Sequence, residues 1–271
     1  MSYNTLPPEP PLPEQVPQLY TGERLSDEAI DTINQYYDIE VYVGRHGTGR
    51  ASQQYYNPSS MPTQAEYAAT EAVAGSLRPG DMFFIEGKGF SAQTEQYGFT
   101  VQQARSLAND YHTDTFTHAH LMAEAQGFAV SRADLNSSEW QQVEAALGKP
   151  VENLKLDDPI EVAKFKAVDV QRERAAARKV VDSALFQASG LIEPQQKSGL
   201  EEEKRRLVLL FGTDHKEGLV EAFNELGLAV TVGELHRSTP EERTSEHLRY
   251  AAVLAIQSML DQLPEPGSDN K

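Results

Sequence analysis

Cysteine is absent from the 271 residues. That excludes disulfides, thiolate catalysis and Cys-ligated zinc or iron–sulfur sites, so any metal would rest on histidine and carboxylate ligands. Basic charge is scarce: 24 Lys and Arg against 41 Asp and Glu give a net charge of −17. A broad nucleic-acid or anionic-membrane surface is therefore not expected, because both need clustered cations. No run approaches the roughly eighteen consecutive apolar residues of a membrane span. The N-terminus also lacks the basic-then-apolar layout of a signal peptide. These absences lead to the expectation of a cytoplasmic protein.

What is present begins with proline. Six of the 15 prolines fall at Pro7, Pro8, Pro10, Pro11, Pro13 and Pro17, in a stretch too poor in aliphatic side chains to offset its ordering entropy. Residues 1–24 are expected to be a disordered Pro-rich tail, 25–263 a single α/β domain, and 264–271 a frayed end. With 39% hydrophobic residues, a core for one such domain is attainable.

The most informative stretch is 206–232. Leu207 to Phe211 is a continuous apolar run of the kind buried on both faces of a parallel sheet. Gly212 breaks it, Thr213 or Asp214 can cap a helix carrying Leu219, Val220, Phe223 and Leu226, and Gly227 closes that helix before a strand from Leu228. The pattern recurs along the chain. Ser26 to Tyr37 reads as a capped helix leading into strand Ile39–Val43, and 62–77 reads as a helix leading into strand 81–87. A helix interrupted near 111–117 spans 101–126, and a weaker strand over 128–134 precedes a helix capped by Ser137 or Ser138. Asp158 to Ser189 is mostly helical. A long helix over 241–263 has Leu248, Ala252, Ala255, Ile256 and Met259 as its inner stripe. Strand and helix alternating in this way predict an α/β fold, with a mostly parallel central sheet and helices on both faces.

Several titratable residues follow apolar runs directly: His46, Glu86, Asp134 and His215. In a parallel sheet they emerge at the carboxyl edge, where α/β proteins bind ligands. Two histidines with one or two carboxylates suit Zn²⁺, Mn²⁺, Co²⁺ or Fe²⁺ with a position left for water. Such a water would be acidified to attack a carbonyl or phosphoryl centre. The helical Gln171–Lys179 section reads as a solvated face with i,i+4 pairs; its sharper reading turns Arg172 or Arg174 toward a pocket. His118 and His120 diverge by about 200° on a helix and are read as packing or solvated residues, not as a second metal site.

Phe211-Gly212-Thr213-Asp214-His215, followed by Lys216-Glu217-Gly218-Leu219 and Leu226 to Val230, resembles the C-terminal GxxH motif of the TraB/Tiki superfamily. That superfamily includes pheromone-shutdown proteins and, more distantly, a ChaN-like haem-binding group. Glu86 in Phe84-Ile85-Glu86-Gly87 is similar to its acidic residue after the second strand, and Arg172 and Arg174 lie where its arginine-bearing helix would. The resemblance implies metal-dependent peptide hydrolysis, with Glu86, His46, Arg172 and Arg174 as catalytic candidates and His46, Glu86 and His215 as metal candidates. Asp134 joins the metal candidates from its place at the sheet edge, and the expected substrate is a peptide or small molecule. The family's first GxxH would place a histidine at Gly47, one residue after His46. Tyr42 to Gly47 also resembles the Arg-His-Gly signature of histidine phosphatases. That likeness implies a phosphoryl-accepting His46, with Arg45 and Arg50 on the phosphate and His215 as second histidine. A ligand-binding or regulatory protein without catalysis is the third reading.

Overall fold

The computed structural model describes residues 16–47, 58–87, 100–198 and 204–261. Two compact units divide the chain: Met1–Val43, Arg78–Tyr97 and Ala129–Gly233 form the first, and Gly44–Leu77, Gly98–Phe128 and Glu234–Lys271 the second.

The expected α/β class is the one adopted. Five strands, β1 (Tyr37–Gly44), β2 (Met82–Ile85), β3 (Val130–Arg132), β4 (Arg205–Gly212) and β5 (Thr231–Glu234), form one sheet in the order β3-β2-β4-β1-β5. All are parallel. Phe83 lies opposite both Val130 and Val208, so β2 is paired on both sides. Consecutive residues Leu207 to Phe211 of the central β4 are all fully buried. Burial of both strand faces explains why their sequence is a continuous apolar run rather than an alternation. Each such side chain contributes roughly 1.5–3 kcal/mol.

In the first unit, α1 (Asp27–Tyr36), α6 (Pro159–Ser198) and α7 (Lys216–Glu225) pack together. Ile30 and Ile33 of α1, Ala177, Val180 and Val181 of α6, and Leu219 and Phe223 of α7 share one core with Val41, Leu207, Leu209 and Phe211. The alanines let α6 come close. A second cluster joins α5 (Ser137–Leu147) to α6 through Trp140, Val143, Val168 and Ala175, with Val16 inside it. The second unit contains α2 (Gln64–Gly75), α3 (Val101–Asn109), α4 (Thr115–Ala125) and α8 (Pro240–Asp261). Among the described residues no helix is long and apolar enough to cross a membrane.

Four expectations need correction. The Pro-rich tail expected over 1–24 falls, for 1–15, outside the described residues, but from Val16 onward the chain packs. Tyr20 N–H donates to Gln171 Oε1 (2.9 Å) and its hydroxyl to Glu139 Oε1 (2.5 Å). The cap of α5 is Asn136, not Ser137 or Ser138, because its side chain accepts from Ser138 and Glu139 N–H while Glu139 reaches back to Asn136 N–H. Neither Thr213 nor Asp214 caps α7 through its side chain. A 3₁₀ turn, Thr213–His215, leads in, and Lys216 N–H bonds to the Thr213 carbonyl.

The fourth concerns α8, whose proposed inner stripe faces outward. Leu248, Ile256 and Met259 are 60%, 59% and 69% exposed. Its buried residues are polar instead: Arg243 donates to the Ser59 carbonyl (2.8 Å), and His247 Nε2 meets the Pro62 carbonyl (3.0 Å). Periodicity finds an apolar face but not what lies against it, and here the first turns of α8 are held by carbonyls of the 58–62 turn. The expected frayed end at 264–271 lies outside the described residues.

Candidate functional site

Three strand ends of the first unit converge. Glu86 follows β2, and its N–H donates to the Leu210 carbonyl of β4 (2.9 Å). Asp134 follows β3, held by the bond from Ala133 N–H to the Ile85 carbonyl (3.1 Å). His215 follows β4 in the 3₁₀ turn, edge-on to Phe211 at 5.9 Å between ring centroids. Parallel pairing puts all three at the carboxyl edge. From α6, Asp169, Arg172 and Glu173 arrive at i, i+3 and i+4 spacing, which is one helix face.

Arg172 is the hub. Its Nε reaches Asp134 Oδ1 (3.2 Å) and Oδ2 (3.1 Å), and Nη2 donates to Asp134 Oδ2 (2.8 Å) and Glu86 Oε1 (2.5 Å). Nη1 approaches His215 Nε2 (2.9 Å) and Asp169 Oδ1 (3.3 Å). Trp140 lies under the guanidinium, its ring centroid 5.7 Å from Cζ. The other imidazole nitrogen, Nδ1, meets Glu173 Oε1 at 2.9 Å, and Gly212 N–H donates to Glu86 Oε2 at 2.6 Å. Glu86, Asp134 and His215 are all buried.

This geometry shifts the titrations. Burial works against ionised Glu86, but His215, Arg172 and the Gly212 N–H outweigh it and hold the carboxyl well below its usual range. Burial likewise works against a charged His215, yet the bonds to Glu173 and Glu86 prevail over it and over nearby Arg172, pushing the imidazole up to about 9. A 2.9 Å approach of Nη1 to Nε2 is a hydrogen bond only while Nε2 carries a lone pair. Protonation of Nε2 therefore goes with withdrawal of Nη1. For Asp169 and Glu173, burial prevails and raises both.

The expected residues separate into groups. Glu86, Asp134, Arg172 and His215 come together in the first unit. Arg174 does not join them; it forms a bidentate pair with Glu225 (Nε 2.8 Å, Nη2 2.6 Å). His46 belongs to the second unit, tilted against Phe116 at 4.6 Å, with Nδ1 3.9 Å from Asp114. Its neighbour Arg45, which a phosphatase would turn to phosphate, donates to the carbonyls of Ser59, Ser60 and Met61. Arg50 lies outside the described residues. His118 is fully buried against Glu71 (3.3 Å), and His120 pairs with Glu124 (2.8 Å).

The residues gathered here do not fit a metal as arranged. Both Asp134 oxygens and Glu86 Oε1 are turned to Arg172, and Glu86 Oε2 to Gly212. Among the described residues no group of three His, Asp or Glu side chains is set to hold an ion. Glu173 and Asp169 are the partners that the sequence reading did not single out. Their signal was the 169, 172, 173 spacing, visible only once Arg172 is known to face inward. Comparison with known proteins found no match: no family model, no curated protein and no solved structure matches the chain.

Proposed function

We propose that the protein is a hydrolase of ester or amide bonds in a peptide or small molecule, with its centre at His215, Arg172 and Glu86. The observation that carries this reading is the imidazole held at both nitrogens: Glu173 on Nδ1 at 2.9 Å, with Nε2 turned to Arg172 and, at 3.6 Å, to Glu86. A carboxylate on one nitrogen is the orientation that a general base requires on the other. In this scheme Nε2 takes a proton from water as the water attacks the acyl carbon, and the guanidinium, released from Nε2, meets the developing oxyanion. The proton then passes from Nε2 to the leaving group. Glu86, low in pKa and saturated with donors, is a poor base, and its part is to hold Arg172. Because Nε2 must be unprotonated to begin, kcat/KM is expected to rise with pH and level near the His215 value of about 9.

No step in this scheme runs through a metal. A divalent-metal reading, which the TraB/Tiki likeness implies, has one observation in its favour. Glu86, Asp134 and His215 already surround a cation, the guanidinium, and an ion displacing Arg172 would meet the same residues.

Screening purified, untagged protein on aryl esters and peptide anilides tests both readings, in chelator and after reloading with Zn²⁺, Mn²⁺, Co²⁺ or Fe²⁺. Turnover in chelator, falling about 10²–10⁴-fold in His215→Ala, is the expected result. Turnover only after reloading favours the metal reading. No turnover in either condition leaves a scaffold that binds without catalysis.

A further inference from the structure

Gly218 lies in the first turn of α7, inside a helix, where glycine is less favourable than alanine. A Cβ added there would overlap the Glu173 carboxylate. Three residues on the other side of His215, a Cβ on Gly212 would stand 3.0 Å from Glu86 Oε2 and 3.6 Å from His215 Cδ2. The two glycines of Gly212-Thr213-Asp214-His215-Lys216-Glu217-Gly218 thus each admit one carboxylate, and each carboxylate faces a different nitrogen of the ring between them. Glu173 is well placed for this, since its carboxylate sits against the amino-terminal turn of α7, where the helix dipole favours negative charge.

We infer that Glu173 is the positioning residue of His215, fixing the ring proton on Nδ1 so that Nε2 is the working nitrogen, and that Gly218 is the slot that admits it. The inference rests on the hydrolase reading for why Nε2 matters, but the placement of the proton and the slot can be measured without any substrate.

Two measurements on the full chain test it. In ¹⁵N spectra of labelled histidine, with His215 assigned by its absence in His215→Ala, Nδ1 should keep its proton while Nε2 titrates. In the neutral ring Glu173→Gln should preserve that order, because the amide oxygen accepts the same bond, whereas Glu173→Ala, in which Arg172 alone still favours a bare Nε2, should move part of the proton from Nδ1 to Nε2. Thermal unfolding supplies the second measurement. Gly218→Ala should lower Tm in the parent, where Glu173 fills the slot, and raise it in the Glu173→Ala background, where only helix propensity remains. If Gly218→Ala does not fold alone, the double variant should restore folding. A proton on Nε2 of the neutral ring, read above the His215 value of about 9 in the parent, or an equal effect of Gly218→Ala in both backgrounds, would overturn the inference. If both measurements come out as expected and no substrate is turned over, the hydrolase reading fails and the positioning stands. With turnover, Glu173→Ala should lower kcat by about 10²-fold with little change in KM, and Glu173→Gln by less.

Discussion

Arg172 decides how the buried charges balance. Three carboxylates, Glu86, Asp134 and, at 3.3 Å, Asp169, and one imidazole nitrogen meet the guanidinium. Removing one partner of a buried ion pair costs more than the pair contributes, because the remaining charge stays away from water. Asp134→Ala is expected to destabilise the protein by about 3 kcal/mol in urea unfolding. Acid should act through Glu86. Its pKa is lower in the folded chain than the ordinary 4.5, so its contribution is present above 4.5 and is lost as pH falls toward the folded value. The stability gap between the parent and Glu86→Gln should therefore narrow below that pH. Asp169 and Glu173, shifted upward, push the other way, so the variant comparison is more telling than the parent alone. His215 has the opposite sign: its contribution is complete below 6.5 and disappears as pH rises through about 9.

At the scale of elements, the unit of β4, turn and α7 was legible in the sequence. Its cues are local: an uninterrupted apolar run, a glycine break and a helical repeat closed by Gly227, which does adopt a left-handed φ of 88°. The face of α6 was half legible. Arg172 and Arg174 are two residues apart and so about 200° apart on a helix, which says that only one can face the sheet edge but not which. The answer depends on Ala176, Ala177 and Val180 facing the core, a fact of packing. In α8 the period marks an apolar stripe but not what lies against it, and Leu248, Ile256 and Met259 are exposed. A direct check follows. Ile256→Glu should change stability by less than about 0.5 kcal/mol, whereas Leu209→Ala in β4 should cost about 2–5 kcal/mol.

For the whole molecule, the alternation of strands and helices carried the fold class and the parallel sheet, and with them the edge at which Glu86, Asp134 and His215 meet. What it could not carry was the content of that edge. A carboxylate after a strand looks alike whether it awaits a metal or holds an arginine from a helix many residues away. His46 shows the same limit, since a position after β1 says nothing of its neighbours, which are Phe116 and Asp114. The proposed chemistry therefore depends on a guanidinium at the centre of the cluster. The most direct measurement is kcat/KM in chelator for the parent and Arg172→Lys, which keeps the charge but loses the planar fork. Turnover by the parent and a fall of about 10²-fold in the variant are expected. A parent that is inactive in chelator and revived by a divalent metal, or a variant as fast as the parent, would contradict the proposed chemistry.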